Sequence, residues 1–399
     1  MYKKSYNRYG NTTRSRNRFS GKNRRRGYSW GRSGGVDVSR YINHNPENTI
    51  EEKYIPQNRI EDLNINQKIK DNMINKKFTV LTPIQDKSIP IILNGRDLIG
   101  IADTGTGKTV AFLIPMINKV AMNNKEMVVI MAPTRELAQQ INTEFRWISQ
   151  GLNIYSVLCI GGTNMYSQRK DIERRHNFLI CTPGRLKDVA KRGWVNLARY
   201  RNVVIDEMDR MFDMGFQKDI QEILSLLSIE RQTLLFSATL SRSIETLINA
   251  QLTNPEKVEI NQRKSSTNIK QDVVRIAPGS KKIDVLHELL VKPEFTKVIV
   301  FMKTKVSVNS TERELSARGL KVTSIHGNKT QSARQKSLSI FKENRTTILL
   351  ATDVAARGLD IDQVSHVINY DVPATHEDYI HRIGRTGRGE NKGIALTFV

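Results

Sequence analysis

A chain of 399 residues exceeds the roughly 100 to 200 residues of one ordinary domain, which implies two cores and some tail. Its 63 Lys and Arg against 40 Asp and Glu leave a formal charge of +23, which points to a polyanionic partner, either nucleic acid or a membrane surface. No apolar run approaches the roughly 18 residues that span a bilayer, and the N-terminus has no apolar signal core. The chain is therefore expected to be soluble and cytoplasmic, without a membrane partner. Nothing in it suggests a dimerisation element, so the expected state is a monomer.

Residues 1–40 hold 12 basic residues against Asp37 alone, so +11 of the +23 lies there. Tyr2, Tyr6, Tyr9, Phe19, Tyr28 and Trp30 are interspersed among Gly, Ser and Asn, with no periodicity that supports a core. The composition predicts a disordered tail and connector over 1–57. Cations for phosphates and rings for unpaired bases suit single-stranded nucleic acid; a solubilising tail is the plainer alternative. A helix-like stretch follows over Ile60 to Met73. Cys159 and Cys181 lie in apolar runs without CxxC spacing and are expected to be buried free thiols.

From there the chain shows short apolar runs without polar alternation, the mark of parallel strands buried on both faces. They are Leu98–Ile101, Val128–Met131, Phe178–Ile180, Val203–Ile205 and Leu234–Phe236, expected to form a domain over 58–260. A polar stretch suggests a linker over 261–275. The rhythm resumes over 276–399 with Val298–Phe301, Val322–Ile325, Ile348–Ala351, Val364–Ile368 and Ile394–Phe398. Small and polar residues follow each run of the first set, and open parallel sheets bind ligands at that edge.

Ala102 to Thr109 reads Ala-Asp-Thr-Gly-Thr-Gly-Lys-Thr after a strand and before a helix, the context of a phosphate-binding loop. Thr104, Gly105, Thr106 and Gly107 would let backbone N–H groups approach phosphate oxygens. Lys108 would reach the β and γ phosphates, Thr109 would ligate Mg2+, and the helix N-terminus would add a favourable field. Asp206-Glu207-Met208-Asp209 ends another strand; alone it reads equally well as a solvated turn, but beside a phosphate loop Asp206 suits the metal and Glu207 the attacking water. His381 to Arg388 places three arginines and two glycines in eight residues, suited to a spreading negative charge or to an RNA contact, with His381 orienting.

Taken in order, these segments resemble the motif set of the DEAD-box RNA helicases of superfamily 2, over roughly Ile60 to Val399. The resemblance implies an α/β fold of two RecA-like domains, each a parallel sheet flanked by helices. It implies ATP and Mg2+ as cofactors, RNA as partner with little sequence specificity, and hydrolysis coupled to local duplex unwinding or RNP remodelling. Thr82-Pro83-Ile84-Gln85 resembles the Q motif, whose glutamine reads adenine. Pro133-Thr134-Arg135-Glu136-Leu137 resembles motif Ia, and its Pro133, Thr134 and Arg135, with Gly161-Gly162, Thr182-Pro183-Gly184-Arg185, the pair Gln331 and Arg334, and Thr352, match RNA-contacting positions. Asp209, Ser237 and Thr239 match the elements that couple ATP state to RNA, Asp360 the ribose contact, and Arg385 and Arg388 the arginine fingers.

The chain departs from that pattern in places. Met208 stands for the alanine of the acidic box, Leu81 for a proline, and Ile60 for an upstream aromatic that stacks on adenine, an interaction worth roughly 0.5–1.5 kcal/mol. The sequence ends directly after an apolar run, and the closing helix of relatives is expected to be missing. Two other classes fit part of the pattern: a DNA-directed translocase shares the phosphate loop and arginines, and an ATP-binding RNA scaffold shares the basic tail. Intact Lys108, Glu207 and Arg385 argue against the scaffold, and the Q motif and acidic box favour RNA over DNA.

Overall fold

The computed structural model describes residues 54–103, 105–260, 269–356, 361, 363–387 and 392–399, with backbone alone at Val354 and Glu377. The basic tail up to residue 53, Thr104, Asp360 and Arg388 lie outside the described residues.

The first sheet is built from β1 (Leu98–Ile101), β2 (Val128–Met131), β3 (Ser156–Cys159), β4 (Phe178–Cys181), β5 (Asn202–Ile205), β6 (Gln232–Ser237) and β7 (Glu256–Glu259). Its order is β3-β4-β2-β5-β6-β1-β7, with every pairing parallel. Its helices are α1 (Gln67–Asn75), α2 (Pro83–Leu93), α3 (Lys108–Met122), α4 (Arg135–Ile148), α5 (Met165–Glu173), α6 (Pro183–Lys191), α7 (Met208–Asp213), α8 (Gln217–Leu226) and α9 (Arg242–Gln251). Strand alternation sends Val128 and Ile130 into one apolar layer with α1 to α4, and Val129 and Met131 into the opposite layer with α5 to α9.

The second sheet runs β10-β11-β9-β12-β13-β8, again all parallel. Its strands are β8 (Ile269–Val274), β9 (Val298–Met302), β10 (Val322–Ile325), β11 (Ile348–Thr352), β12 (His366–Asn369) and β13 (Gly393–Phe398). Between them lie α10 (Lys282–Leu290), α11 (Lys305–Ala317), α12 (Gln331–Lys342), α13 (Asp353–Ala356) and α14 (His376–Ile383). Val298, Val300 and Met302 pack with α10 and α11, while Ile299 and Phe301 pack with α12 and α13.

Three expectations of secondary structure need correction. The single helix over Ile60 to Met73 is a 3-10 turn at Ile60–Asp62 followed by α1, because Asn66 accepts from Lys68 N–H and starts the helix afresh. The linker over 261–275 contains β8, an edge strand whose polar Lys270, Gln271 and Asp272 hide it among linker residues. Edge strands β3 and β7 were not expected at all; β7 reads Glu-Lys-Val-Glu, with only Val258 buried.

Tyr54 and Gln57, inside the stretch expected to be disordered up to residue 57, are instead tied with Asn58 to α2 by one carboxylate. Asp86 accepts from the Tyr54 hydroxyl (2.6 Å), Gln57 N–H (2.8 Å), Asn58 N–H (3.0 Å) and Asn58 Nδ2 (2.7 Å). Burial raises the Asp86 carboxyl, but these donors outweigh it and hold it below its ordinary value. Stability from this group is therefore fully present above the unfolded carboxylate range and is lost as pH falls through the depressed folded value. Asp86→Asn should lower stability by about 1–3 kcal/mol at pH 7, with the gap to wild type narrowing below about pH 4, as read by urea unfolding at both pH values.

Candidate active site

The carboxyl edge of the first sheet gathers the loaded segments. Beyond β1 the chain turns through Gly105 (φ 84°) and Gly107 (φ 92°) before α3, left-handed conformations that glycine adopts without strain. A Cβ on Gly107 would overlap the Gln85 amide, whose Nε2 donates to Gly107 O at 3.0 Å. The same amide accepts from Thr82 N–H at 3.0 Å and is buried, so it joins the start of α2 to the loop. Thr106 Oγ1 donates to Asp103 O at 2.8 Å, closing the turn. Thr109 is half-buried in the first turn of α3. Ile60 and Leu81, the departures from the adenine pattern, are both buried in the core rather than set on an open face.

Lys108 is buried and its ammonium donates to Ala102 O at 2.8 Å, so it is held at the loop's own mouth. Asp206 follows β5 and is fully enclosed; burial pushes its carboxyl up to about 7, with the Lys108 charge working against that. Its Oδ1 has no hydrogen-bond partner among the described residues. A buried carboxylate short of donors is a fitting ligand for a cation, which would restore its charged form. Glu207 sits at φ 53°, ψ 53°, a left-handed turn between β5 and α7, and pairs with buried Arg210 (Nη1 to Oε2, 3.1 Å). Met208 is fully buried in the core, so the added bulk is absorbed by packing.

Asp209 links this strand end to the next. Its Oδ2 accepts from Ala238 N–H (3.0 Å), Thr239 N–H (2.9 Å) and Thr239 Oγ1 (3.3 Å), and its own N–H donates to Ser237 Oγ (3.2 Å). Ser237 Oγ donates in turn to Thr239 O at 2.7 Å. Burial raises the Asp209 carboxyl, but the Lys108 and Arg210 charges and the N–H donors of Thr239 and Arg210 outweigh it and hold it low. The three residues expected to couple the two ends thus form one closed network.

Of the positions matched to RNA contact, Thr134 caps α4 by accepting from Leu137 N–H (3.2 Å), and Pro133 is buried behind it. Arg135 lies across Gly161 and Gly162, and a Cβ on Gly162 (φ 74°) would overlap its guanidinium. Thr182 and Pro183 open α6, and Arg185 donates to Gln168 Oε1 at 2.6 Å, drawing α5 against α6. Gln331 and Arg334 turn toward the first domain. Gln331 Nε2 donates to Glu136 Oε1 (3.1 Å) and Gln139 Oε1 (3.4 Å), and Arg334 pairs with Glu136 Oε2 at 2.8 Å. Glu136, inside the motif Ia match but given no role, is the shared partner, and all three ends are buried.

In the second domain Thr352 ends β11 half-buried. Arg382, counted among the three arginines but given no role, is a structural anchor: it holds Asp353 through two bonds (2.6 and 2.8 Å), donates to Asn369 Oδ1 and Asp371 O, and lies over Phe301. His381 and buried Arg385 line a small cavity beside it.

Both halves of this arrangement have counterparts among known proteins. The DEAD/DEAH box helicase family model matches residues 82–247, and the helicase conserved C-terminal domain model matches 281–390. The chain is 40% identical over 341 residues to the DEAD-box ATP-dependent RNA helicase CshA of Geobacillus kaustophilus, covering 85% of this chain and 73% of that protein. This chain belongs to the DEAD-box helicase family. It is also 43% identical over 352 residues to DEAD-box ATP-dependent RNA helicase 30 of Arabidopsis thaliana, covering 86% of this chain and 59% of that protein. It spans less than two thirds of the length of several such relatives. S. cerevisiae Dbp5 bound to RNA and ADP BeF3 superimposes with a TM-score of 0.76 at 29% identity, covering 85% of this chain and 89% of that one. The likeness to that DEAD-box structure covers both sheets. If Asp209 is the link between the acidic box and the Ser237–Thr239 segment, Asp209→Ala should lower stability by about 2–3 kcal/mol, and amide exchange should quicken at Ala238 and Thr239 while α10 and α11 keep their protection.

Proposed function

We propose that this chain is an ATP-dependent RNA helicase, an RNA-stimulated ATPase that couples hydrolysis to RNA binding and local duplex unwinding or RNP remodelling. The observation that carries the reading is the buried contact of Glu136 in the first domain with Gln331 and Arg334 in the second. It joins the two sheets beside the residues matched to RNA, so strand binding and domain apposition involve the same side chains. Support also comes from the relatives, which are named as ATP-dependent RNA helicases.

In this reading Lys108 and the N–H groups of Gly105 to Lys108 bind the phosphates, and Gln85 reads adenine. Thr109 and Asp206 would hold Mg2+, which when bound offsets phosphate charge. One carboxylate and one hydroxyl, completed by phosphate oxygens and water, is an ordinary donor set for that ion. Glu207 orients the attacking water and takes its proton, and Arg385 supplies a cation from the second domain. Arg135, Gly162, Thr182 and Thr352 hold RNA through its backbone, which gives little sequence preference.

We take the acting form to be a monomer in the cytoplasm. Among the described residues no helix is long and apolar enough to cross a membrane. RNA should stimulate phosphate release more than DNA of equal length. Glu207→Gln should lower the stimulated rate about 10²–10⁴-fold while leaving RNA affinity with a non-hydrolysable ATP analogue within twofold. Full activity in that variant would remove Glu207 from its role, and a DNA preference would overturn the choice of substrate.

A further inference from the structure

One buried cation next to the acidic box has no part in the hydrolysis described so far. Arg210 is 1% exposed, the largest fully buried side chain among the described residues. Its Nη1 lies 3.1 Å from Glu207 Oε2, yet neither Nη1 nor Nη2 has a hydrogen-bond partner among the described residues. The contact is therefore an ion pair without an in-line hydrogen bond. A guanidinium withdrawn from water commonly satisfies several N–H donors, and this one is left with a charge contact to a carboxylate. Such an arrangement is poor as a purely structural anchor. Arg382 in the same chain shows the contrast, with four hydrogen bonds to Asp353, Asn369 and Asp371.

Glu207 itself is held in a left-handed conformation that non-glycine residues seldom adopt, and such conformations persist where the surroundings over-determine them. Arg210 stands three residues on, one turn along α7, where i and i+3 side chains meet. The turn sets the direction in which Glu207 leaves the backbone, and Arg210 sets where its carboxylate comes to rest. Oε2, itself buried, is taken up by this contact, which leaves Oε1 as the oxygen that can accept from a water.

We propose that Arg210 is a positioning residue for hydrolysis, which fixes the Glu207 carboxylate by charge at Oε2 while leaving Oε1 available to the attacking water. This rests on the reading of Glu207 as the residue that orients water. Arg210 touches neither phosphate nor RNA in this role; its charge also bears on Asp209, but its effect on hydrolysis runs through Glu207.

That restriction makes a double-mutant cycle decisive. Arg210→Met should lower kcat for RNA-stimulated hydrolysis at least tenfold, with KM for ATP and for RNA within twofold of wild type. Affinity for a non-hydrolysable ATP analogue, measured by fluorescence titration, should be unchanged. Arg210→Lys keeps the charge but not its reach and should lose roughly threefold. In a Glu207→Gln background, Arg210→Met should change the residual rate less than twofold. Wild-type kcat in Arg210→Met, a rise in KM without a fall in kcat, or an undiminished tenfold loss in the Glu207→Gln background would each overturn the proposal. Should Arg210→Met fail to fold, Arg210→Lys decides: a raised KM at unchanged kcat counts against the role. Absence of RNA-stimulated hydrolysis in the wild-type chain would instead overturn the proposed function.

Discussion

Three acids in four residues are buried at the end of one parallel strand, and their need for counter-charge organises the first domain. Asp206, Glu207 and Asp209 are almost wholly withdrawn from bulk water, so each must find a donor or a cation within the fold. Asp209 finds the backbone of Ala238 and Thr239, Glu207 finds Arg210, and Asp206 faces the charge of Lys108 with one oxygen unsatisfied. Each solution draws in a different element: β6 through Asp209, α7 through Arg210, and the β1–α3 loop through Lys108. The phosphate loop and the Ser237–Thr239 segment are neighbours of the acidic box in space because β1, β6 and β5 are consecutive in the sheet. The carboxylates convert that adjacency into contact.

The central strands were legible from sequence because they are buried on both faces and carry an apolar run, with polar residues such as Asn202, Gln232 and Asn369 confined to their ends. Val128–Met131 and Leu98–Ile101 begin and end where the apolar runs do. Edge strands obey a weaker rule. With one neighbour and one half-covered face, β3, β7 and β8 tolerate serine, glutamate and lysine, and their pattern merges with that of a loop. The break between Ile60 and α1 was hidden for a different reason: Asn66 is an ordinary polar residue until its side chain is seen to cap a helix.

The site divides along the same line. Motifs contiguous in sequence, such as Gly105 to Thr109 and Asp206 to Asp209, could be read because their spacing itself carries the chemistry. Glu136, Arg210 and Arg382 could not be read in this way, since each is one charged residue whose burial and partner exist only after folding. Glu136 meets residues nearly two hundred positions away. Arg382 lies inside a recognised motif and Arg210 directly after one, yet nothing in either pattern separates an arginine that faces a ligand from one that holds its neighbour in place. Gln331 and Arg334 illustrate the reverse case, since a match to RNA-contacting positions gave no hint that both side chains also close an interdomain contact.

The Gln85 amide spans two elements that recognise different parts of a nucleotide. It accepts from the first residue of the α2 turn and donates to the last glycine of the phosphate loop. Because both bonds belong to one planar group, the loop cannot shift away from α2 without rotating that plane. A base seated against α2 and a phosphate seated in the loop would therefore be held at a separation set before either arrives, like two jaws of a caliper locked by one screw. A ligand carrying only one of the two moieties would find its half of the site already shaped, and would gain nothing from the other.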